Sequence, residues 1–256
     1  MHFVRQGSGH PPLLFVHGFA CSLQDWRLQT AALCSSHEVI ACDLRGHGET
    51  PGRAQECTIA HFGGDVAALV NNLELRNVVL VGHSMGCRVI LEASRLVPKR
   101  VAGLVLVDGS RQGSGDPAQA EALTRSAILA AGYAKFAENV FRQMFLEWSP
   151  LAEEIFARVK RMPPDTGTAL WTDMVRWDVT QLDAALDAVR VPLMAIQSTW
   201  ITPERKRLPL KPGETSPWLE LLKARGAQVH IIPNTGHFTM LEAPEQVNRL
   251  IAGFGR

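Results

Sequence analysis

Short, largely apolar runs recur along the first 110 positions: Leu13 to His17, Glu38 to Ala41, Val78 to Val81 and Val101 to Val107. A strand covered on one face would alternate apolar and polar residues. Continuous runs of this kind predict strands of a parallel sheet buried on both faces. Between them the period changes to that of a helix. Ile59, Phe62, Val66, Leu69, Val70 and Leu73 fall on one stripe behind Thr58, a residue suited to capping a helix start. Met85, Val89, Ile90, Ala93, Leu96 and Val97 form a second stripe that stops before Pro98. Ser22 is placed to cap a helix through Trp26, Leu28, Ala32 and Leu33, and Met1 to Gln6 reads as a short edge strand. Strands and helices alternating at this spacing imply right-handed crossovers. The fold class is α/β, a mainly parallel sheet with helices on both faces.

The rhythm breaks between Arg111 and Val189, where helical periodicity continues without a strand. Phe136, Val140, Phe141, Met144, Phe145 and Trp148 make one stripe, and Trp171, Met174 and Val175 part of another. Pro150 and Met162-Pro163-Pro164 separate the helices. An insertion at this point is expected to lie over the sheet's C-terminal edge as a helical cap. The sheet resumes at Pro192 to Ser198. A loop rich in proline and basic residues follows, and its Arg205-Lys206-Arg207 stretch is expected to be solvated. A helix over Ser216 to Ala224, a last strand over Gln228 to Ile232 and a final helix with Pro244 in its first turn complete the chain. The expected division is a core of residues 1–110 and 190–256 with a cap of residues 111–189.

Composition narrows the classes. A chain of 256 residues can bury a full core, and a net charge of +1 leaves no concentrated basic face for nucleic acid. The five cysteines, Cys21, Cys34, Cys42, Cys57 and Cys87, are odd in number and lack metal-ligand spacing. Free thiols and a reducing, cytoplasmic setting are expected, with no metal and no membrane partner. No apolar run is long enough to span a bilayer, and the N-terminus does not read as a signal peptide.

The chemistry gathers at Val78-Val79-Leu80-Val81-Gly82-His83-Ser84-Met85-Gly86-Cys87, a buried strand running into Gly-x-Ser-x-Gly and then a helix. A serine hydroxyl is a weak nucleophile that needs exposure and a base. A tight strand-to-helix turn lifts it out, and Gly82 and Gly86 remove Cβ atoms that would clash there. The helix start leaves Met85 N–H unpaired and available to an oxyanion. Cys87, on the helix behind the turn, reads as a packed thiol. Among nine histidines His237 is the choice of base, in a loop after the last strand and downstream of the serine. His61 and His230 read as helix and strand residues, His83 is directed elsewhere by the turn, and His17 is expected to hold its loop by hydrogen bonds. Asp43 and Arg45 are likewise expected to pin a loop.

Taken together, His17-Gly18-Phe19, Asp43-Leu44-Arg45-Gly46-His47-Gly48, Gly82-His83-Ser84-Met85-Gly86 and Gly236-His237-Phe238 resemble the α/β-hydrolase-fold proteins with a helical cap, nearly end to end and in the family's order. The resemblance implies Ser84 as nucleophile, His237 as base, Phe19 and Met85 N–H groups as oxyanion hole, and no cofactor. Esterases, lactonases, thioesterases, carbon–carbon bond hydrolases, perhydrolases and lyases share the scaffold. The family's usual acid, an Asp after the strand that follows the cap, is missing from Gln197-Ser198-Thr199-Trp200-Ile201-Thr202-Pro203-Glu204. Asp108, at the end of the strand beside the serine strand, is the first choice. Glu204, Glu242 or a two-residue site are the alternatives.

The expected activity is hydrolysis of a small apolar ester or related acyl compound through an acyl-enzyme. Gly18, Phe19, Met85, Phe238 and residues among Met144, Phe145, Trp148 and Trp177 would line the pocket. The rival readings are carbon–carbon bond hydrolysis or a lyase reaction on the same scaffold, and a non-hydrolytic small-molecule sensor. Dehalogenases and epoxide hydrolases of this fold use an Asp nucleophile, and epoxide opening uses paired cap tyrosines. This chain has Ser84 at the turn and a single tyrosine, Tyr133.

Overall fold

The computed structural model describes residues 1–254, in which the apolar runs pair into a seven-stranded sheet. Its strands are β1 (Phe3–Gln6), β2 (Leu13–Val16), β3 (Val39–Cys42), β4 (Val78–His83), β5 (Val101–Val107), β6 (Leu193–Gln197) and, after a hairpin of β7 (Thr199–Ile201) and β8 (Arg207–Pro209), β9 (Gln228–Ile231). The spatial order is β1-β3-β2-β4-β5-β6-β9, with β1 antiparallel at the edge and the other neighbours parallel. Every residue of β2, β3 and β4 is buried, as continuous apolar runs require when helices cover both faces. β4 occupies the centre of the order, so the residue that follows it emerges at the middle of the sheet's C-terminal edge.

Helices α1 (Arg27–Leu33), α2 (Ile59–Asn72) and α3 (Met85–Leu96) belong to the first half. Thr58 Oγ1 accepts from the His61 N–H at 3.2 Å, which caps α2. Ser22 leads into a single 3-10 turn before α1, with the Asp25 carboxylate accepting from Ser22 N–H at 3.3 Å. Five helices fill the stretch between β5 and β6: α4 (Pro117–Ala131), α5 (Tyr133–Arg142), α6 (Pro150–Val159), α7 (Pro164–Thr180) and α8 (Leu182–Asp187). The chain ends with α9 (Pro217–Lys223), α10 (Thr239–Glu242) and α11 (Pro244–Gly253). Among the described residues no helix is long and apolar enough to cross a membrane.

One sequence expectation is corrected here. The proline- and base-rich loop is a hairpin, with Thr199 opposite Pro209 and Ile201 opposite Arg207. Strands of three residues are too short to carry a readable period, and Pro209 sits where an edge tolerates it. Pairing also withdraws Arg207 from solvent, leaving its side chain only 7% exposed.

The inserted helices are tied to the sheet by charge as well as by apolar packing. Asp178 on α7 accepts from Arg88 of α3 at 2.7 and 2.6 Å, and Arg88 also donates to the Ser110 carbonyl at 2.7 Å. Asp178 further accepts from Gly113 N–H at 3.3 Å, and both charged side chains are buried. Removing one partner of such a pair strands the other charge in a region with little water. Asp178→Asn is therefore expected to lower unfolding stability by about 3 kcal/mol or more in a urea titration. A loss below about 1 kcal/mol would contradict the latch.

Candidate active site

The site begins where β4 turns into α3. Ser84 holds φ 54° and ψ −113°, a conformation rare for a residue with a side chain. The turn survives because its neighbours are glycines: a Cβ on Gly82 would lie 2.4 Å from the Gly86 carbonyl oxygen, and one on Gly86 2.4 Å from that of Val16. Ser84 N–H donates to the Val107 carbonyl at 2.9 Å, fastening the turn to β5. Cys87 is fixed behind it, its thiol directed at the Gly82 carbonyl at 3.1 Å and pushed up to about 12 by burial. It carries no nucleophilic thiolate at neutral pH. Met85 opens α3, so its N–H has no carbonyl one turn back to meet, and Phe19 N–H donates to no protein group among the described residues.

The loop bearing Phe19 is held by two neutral histidines. His17 Nε2 accepts from Leu44 N–H at 3.0 Å, which places its proton on Nδ1, 2.8 Å from the Gly18 carbonyl. His47 Nε2 accepts from Ala20 N–H at 3.2 Å, and its Nδ1 donates to the Arg45 carbonyl at 3.0 Å. Burial lowers His17 to about 4 and His47 to about 3. Asp43 accepts from Leu23 N–H at 2.8 Å and Glu49 N–H at 3.0 Å, while Arg45 pairs with Asp65 at 2.9 and 2.7 Å. These side chains hold loops rather than face the cavity.

His237 follows β9. Its backbone N–H donates to the Met144 carbonyl at 2.7 Å, and its carbonyl accepts from His83 Nε2 at 2.9 Å. A side chain on Gly236 would meet Glu242 and the Met144 carbonyl at 2.5 and 2.7 Å, so this approach needs glycine. The ring's Nδ1 lies 2.6 Å from Asp108 Oδ2, with both side chains buried. Asp108 also accepts from Ser198 N–H and Thr199 N–H, each at 2.8 Å, and from Ser198 Oγ at 3.1 Å. Thr199 Oγ1 donates to it at 2.5 Å and Arg207 Nη1 at 3.3 Å. Burial alone would raise the carboxyl, but the His237 hydrogen bond and these partners hold it down at about 2. Burial, then the Arg207 charge, brings His237 down to about 4 against the pull of Asp108. Of the other candidate acids, Glu204 is exposed, and Glu242 accepts from Gly236 N–H at 3.0 Å.

Ser84 and His237 line one narrow cavity of about 10 Å³, room for about one water molecule. No direct hydrogen bond joins the hydroxyl to the ring among the described residues. Gly18, Phe19, Met144 and Phe238 lie on its wall, as do Phe141, Trp171 and Met174 of the inserted helices. Phe19 meets Trp171 edge to face at 5.0 Å. Four expected wall residues sit elsewhere: the Met85 side chain is fully buried in the core and off the cavity wall, and three aromatic residues also miss it. Phe145 stacks behind Phe238 at 5.1 Å, off the cavity wall. Trp148 is 37% exposed and hydrogen-bonds Glu153, because α5 ends at Arg142 and its stripe does not extend that far. Trp177 is buried one face round α7, beside Ala60 and Glu92. The charged wall residues Arg88 and Arg207 were not legible as such. An arginine within the otherwise apolar stripe of α3 was the one available signal for Arg88.

The sequence pattern of the alpha/beta hydrolase family matches residues 13–250. A dihydrolipoyllysine-residue acetyltransferase component of an acetoin cleaving system from Pseudomonas putida is 28% identical over 268 residues, covering 99% of this chain and 66% of that protein. An epoxide hydrolase from Caballeronia sordidicola is 37% identical over 103 residues, covering 39% of this chain and 31% of the relative. The chain thus spans just under two thirds of the first relative's length and about a third of the second's. The crystal structure of a thermophilic esterase from Thermogutta terrifontis superposes with a TM-score of 0.76 at 28% identity, covering 98% of this chain and 91% of that one.

The two buried loop histidines give a pH test. Between about 6.5 and 3 the unfolded chain binds protons that folded His17 and then His47 refuse, so their contribution makes unfolding stability fall as pH drops through that window. Denaturant titrations between pH 7 and 4 are expected to show that decline. His47→Gln, whose amide oxygen replaces Nε2 as acceptor, is expected to make it shallower, and an unchanged slope would contradict the assignment.

Proposed function

The chain belongs to the alpha/beta hydrolase family, and from that premise we propose that it is a serine hydrolase cleaving a small carboxylic ester through an acyl-enzyme on Ser84. The observation that carries this reading is the buried 2.6 Å contact of Asp108 with His237 Nδ1, which turns the ring's other nitrogen into an acceptor on the cavity shared with Ser84. The mechanism requires the Ser84 hydroxyl to turn toward Nε2 across the cavity that both residues line. In the first step Ser84 Oγ bonds to the ester carbonyl carbon as His237 Nε2 takes the hydroxyl proton. The resulting oxyanion rests on the Phe19 and Met85 N–H groups. The carbon–oxygen bond to the alcohol then breaks, and the alcohol leaves with the proton from Nε2. Water repeats the sequence on the acyl-enzyme and releases the acid. Asp108 keeps the proton of the imidazole on Nδ1 and stabilises the imidazolium.

Residues 1–110 with 190–256 form the hydrolase core in this reading, and residues 111–189 serve as a cap over the site. Entry of substrate requires cap side chains to withdraw, since the cavity has room for about one water. A narrow cavity walled by Phe19, Phe141, Trp171 and Phe238 favours a small-molecule substrate over a macromolecule once those side chains give way. Epoxide opening is disfavoured despite the epoxide hydrolase relative. The turn carries Ser84 in place of a carboxylate, and the Tyr133 hydroxyl is buried without a partner, away from the cavity.

A fluorophosphonate probe is expected to label folded protein at Ser84, and Ser84→Ala is expected to lose labelling together with about 10³-fold or more of ester turnover. Labelling elsewhere, or turnover that survives Ser84→Ala, overturns the assignment. Because His237 must be neutral to act as base, kcat/KM is expected to hold from pH 8 to 6 and fall with a half-point near 4, well below the usual 6.5. Initial rates measured immediately after dilution from pH 7 separate this limb from acid unfolding, and a half-point near 6.5 would contradict it.

A further inference from the structure

The wall around Ser84 is more cationic than an apolar ester requires. Its cavity adjoins a second one of about 60 Å³, and the two share Gln112, Met144, Trp171 and Arg207. No Asp or Glu lines either space among the described residues, whereas Arg88, Arg205 and Arg207 do. The charge of Arg88 is met by Asp178, which accepts from Nε and Nη2 at 2.7 and 2.6 Å. That of Arg207 is not. Its nearest carboxylate oxygen, Asp108 Oδ2 at 3.3 Å, is already engaged by His237 at 2.6 Å. Only Nη1 is used, toward Asp108 and toward Thr199 Oγ1 at 2.6 Å, so among the described residues Nε and Nη2 donate to no protein group. A side chain 7% exposed therefore keeps two guanidinium donors free at the junction of the two cavities.

Those two donors are not sealed off from solvent, so a ligand entering the cavities can take them up without breaking a protein hydrogen bond. A planar edge with two N–H donors matches a carboxylate, which accepts both hydrogen bonds and supplies the missing charge. Phe141, Met144 and Trp171 give the same cavity wall an apolar surface. Resting on the serine-hydrolase reading above, we infer that the substrate is an ester carrying its own carboxylate, which docks on Arg207 while the ester carbonyl meets Ser84. Monoesters of small dicarboxylic acids have this form.

The test compares matched pairs: methyl hydrogen adipate against methyl hexanoate, and 3-acetoxybenzoate against phenyl acetate. Wild-type protein is expected to favour at least one acid ester over its neutral partner by about tenfold or more in kcat/KM, the size of a charge-assisted hydrogen bond. Arg207→Gln is expected to bring that ratio to about one, and Arg207→Lys to restore part of it. A residue that acted only by adjusting Asp108 and His237 would change both members of a pair equally and leave the ratio intact. A ratio near one in wild type, or one unmoved by Arg207→Gln, overturns the inference. If neutral esters are still turned over through Ser84, the hydrolase reading survives that result. Loss of Ser84 labelling and of all turnover would sink the hydrolase reading separately. Binding to Ser84→Ala by calorimetry needs no turnover: methyl hydrogen adipate bound at least tenfold tighter than methyl hexanoate, with the difference lost in Ser84→Ala/Arg207→Gln, supports the carboxylate site. Equal affinities overturn it.

Discussion

A carboxylate fully removed from water must be met on every side, and meeting Asp108 organises the functional edge of this sheet. Asp108 sits at φ 45° just past β5, where it reaches across to the histidine loop on one side and the end of β6 on the other. Six donors converge on it: two backbone N–H groups, two hydroxyls, one guanidinium and one imidazole. Without them, burial would drive the group to its neutral form. With them it stays a carboxylate at about 2, and the imidazole beside it has a fixed tautomer.

The segment after β6 has exchanged one job for another. It lacks the aspartate that family resemblance leads one to expect there, and its Ser198 and Thr199 supply donors to an acid on the neighbouring strand instead. The same segment continues into the β7–β8 hairpin, which delivers Arg207 to the acid and to the cavity at once. Burial first, and then this cation, oppose protonation of His237, so the ring stays neutral over a wide pH range. The elements that clamp the acid also set the charge of the wall.

Much of this was legible from residue pattern alone, and the exceptions have physical reasons. Buried runs located the strands because a parallel sheet covered on both faces admits little else, and Thr58 and Pro98 marked the ends of α2 and α3 as capping and proline chemistry dictate. Gly82-His83-Ser84-Met85-Gly86 could be read because the backbone of such a turn tolerates few sequences. Arg207 could not. Its local sequence, Arg205-Lys206-Arg207, is that of a solvated loop, and only pairing with Ile201 turns it inward. The aromatic residues of the inserted helices were similarly ambiguous. A stripe states that Trp171, Trp177, Phe145 and Trp148 are apolar, but the rotation of each helix and the end of α5 at Arg142 decide which of them meets the cavity.

The most direct test is the turnover of Asp108→Asn in protein shown by circular dichroism to be folded. An asparagine keeps the shape and loses the charge, so it no longer fixes the Nδ1–H tautomer or supports an imidazolium. The account predicts a fall in kcat of about 10³- to 10⁴-fold, with substrate binding to Ser84→Ala little altered by the same change. A folded Asp108→Asn protein within about tenfold of wild type would contradict it, because the buried carboxylate would then hold loops together without serving the base.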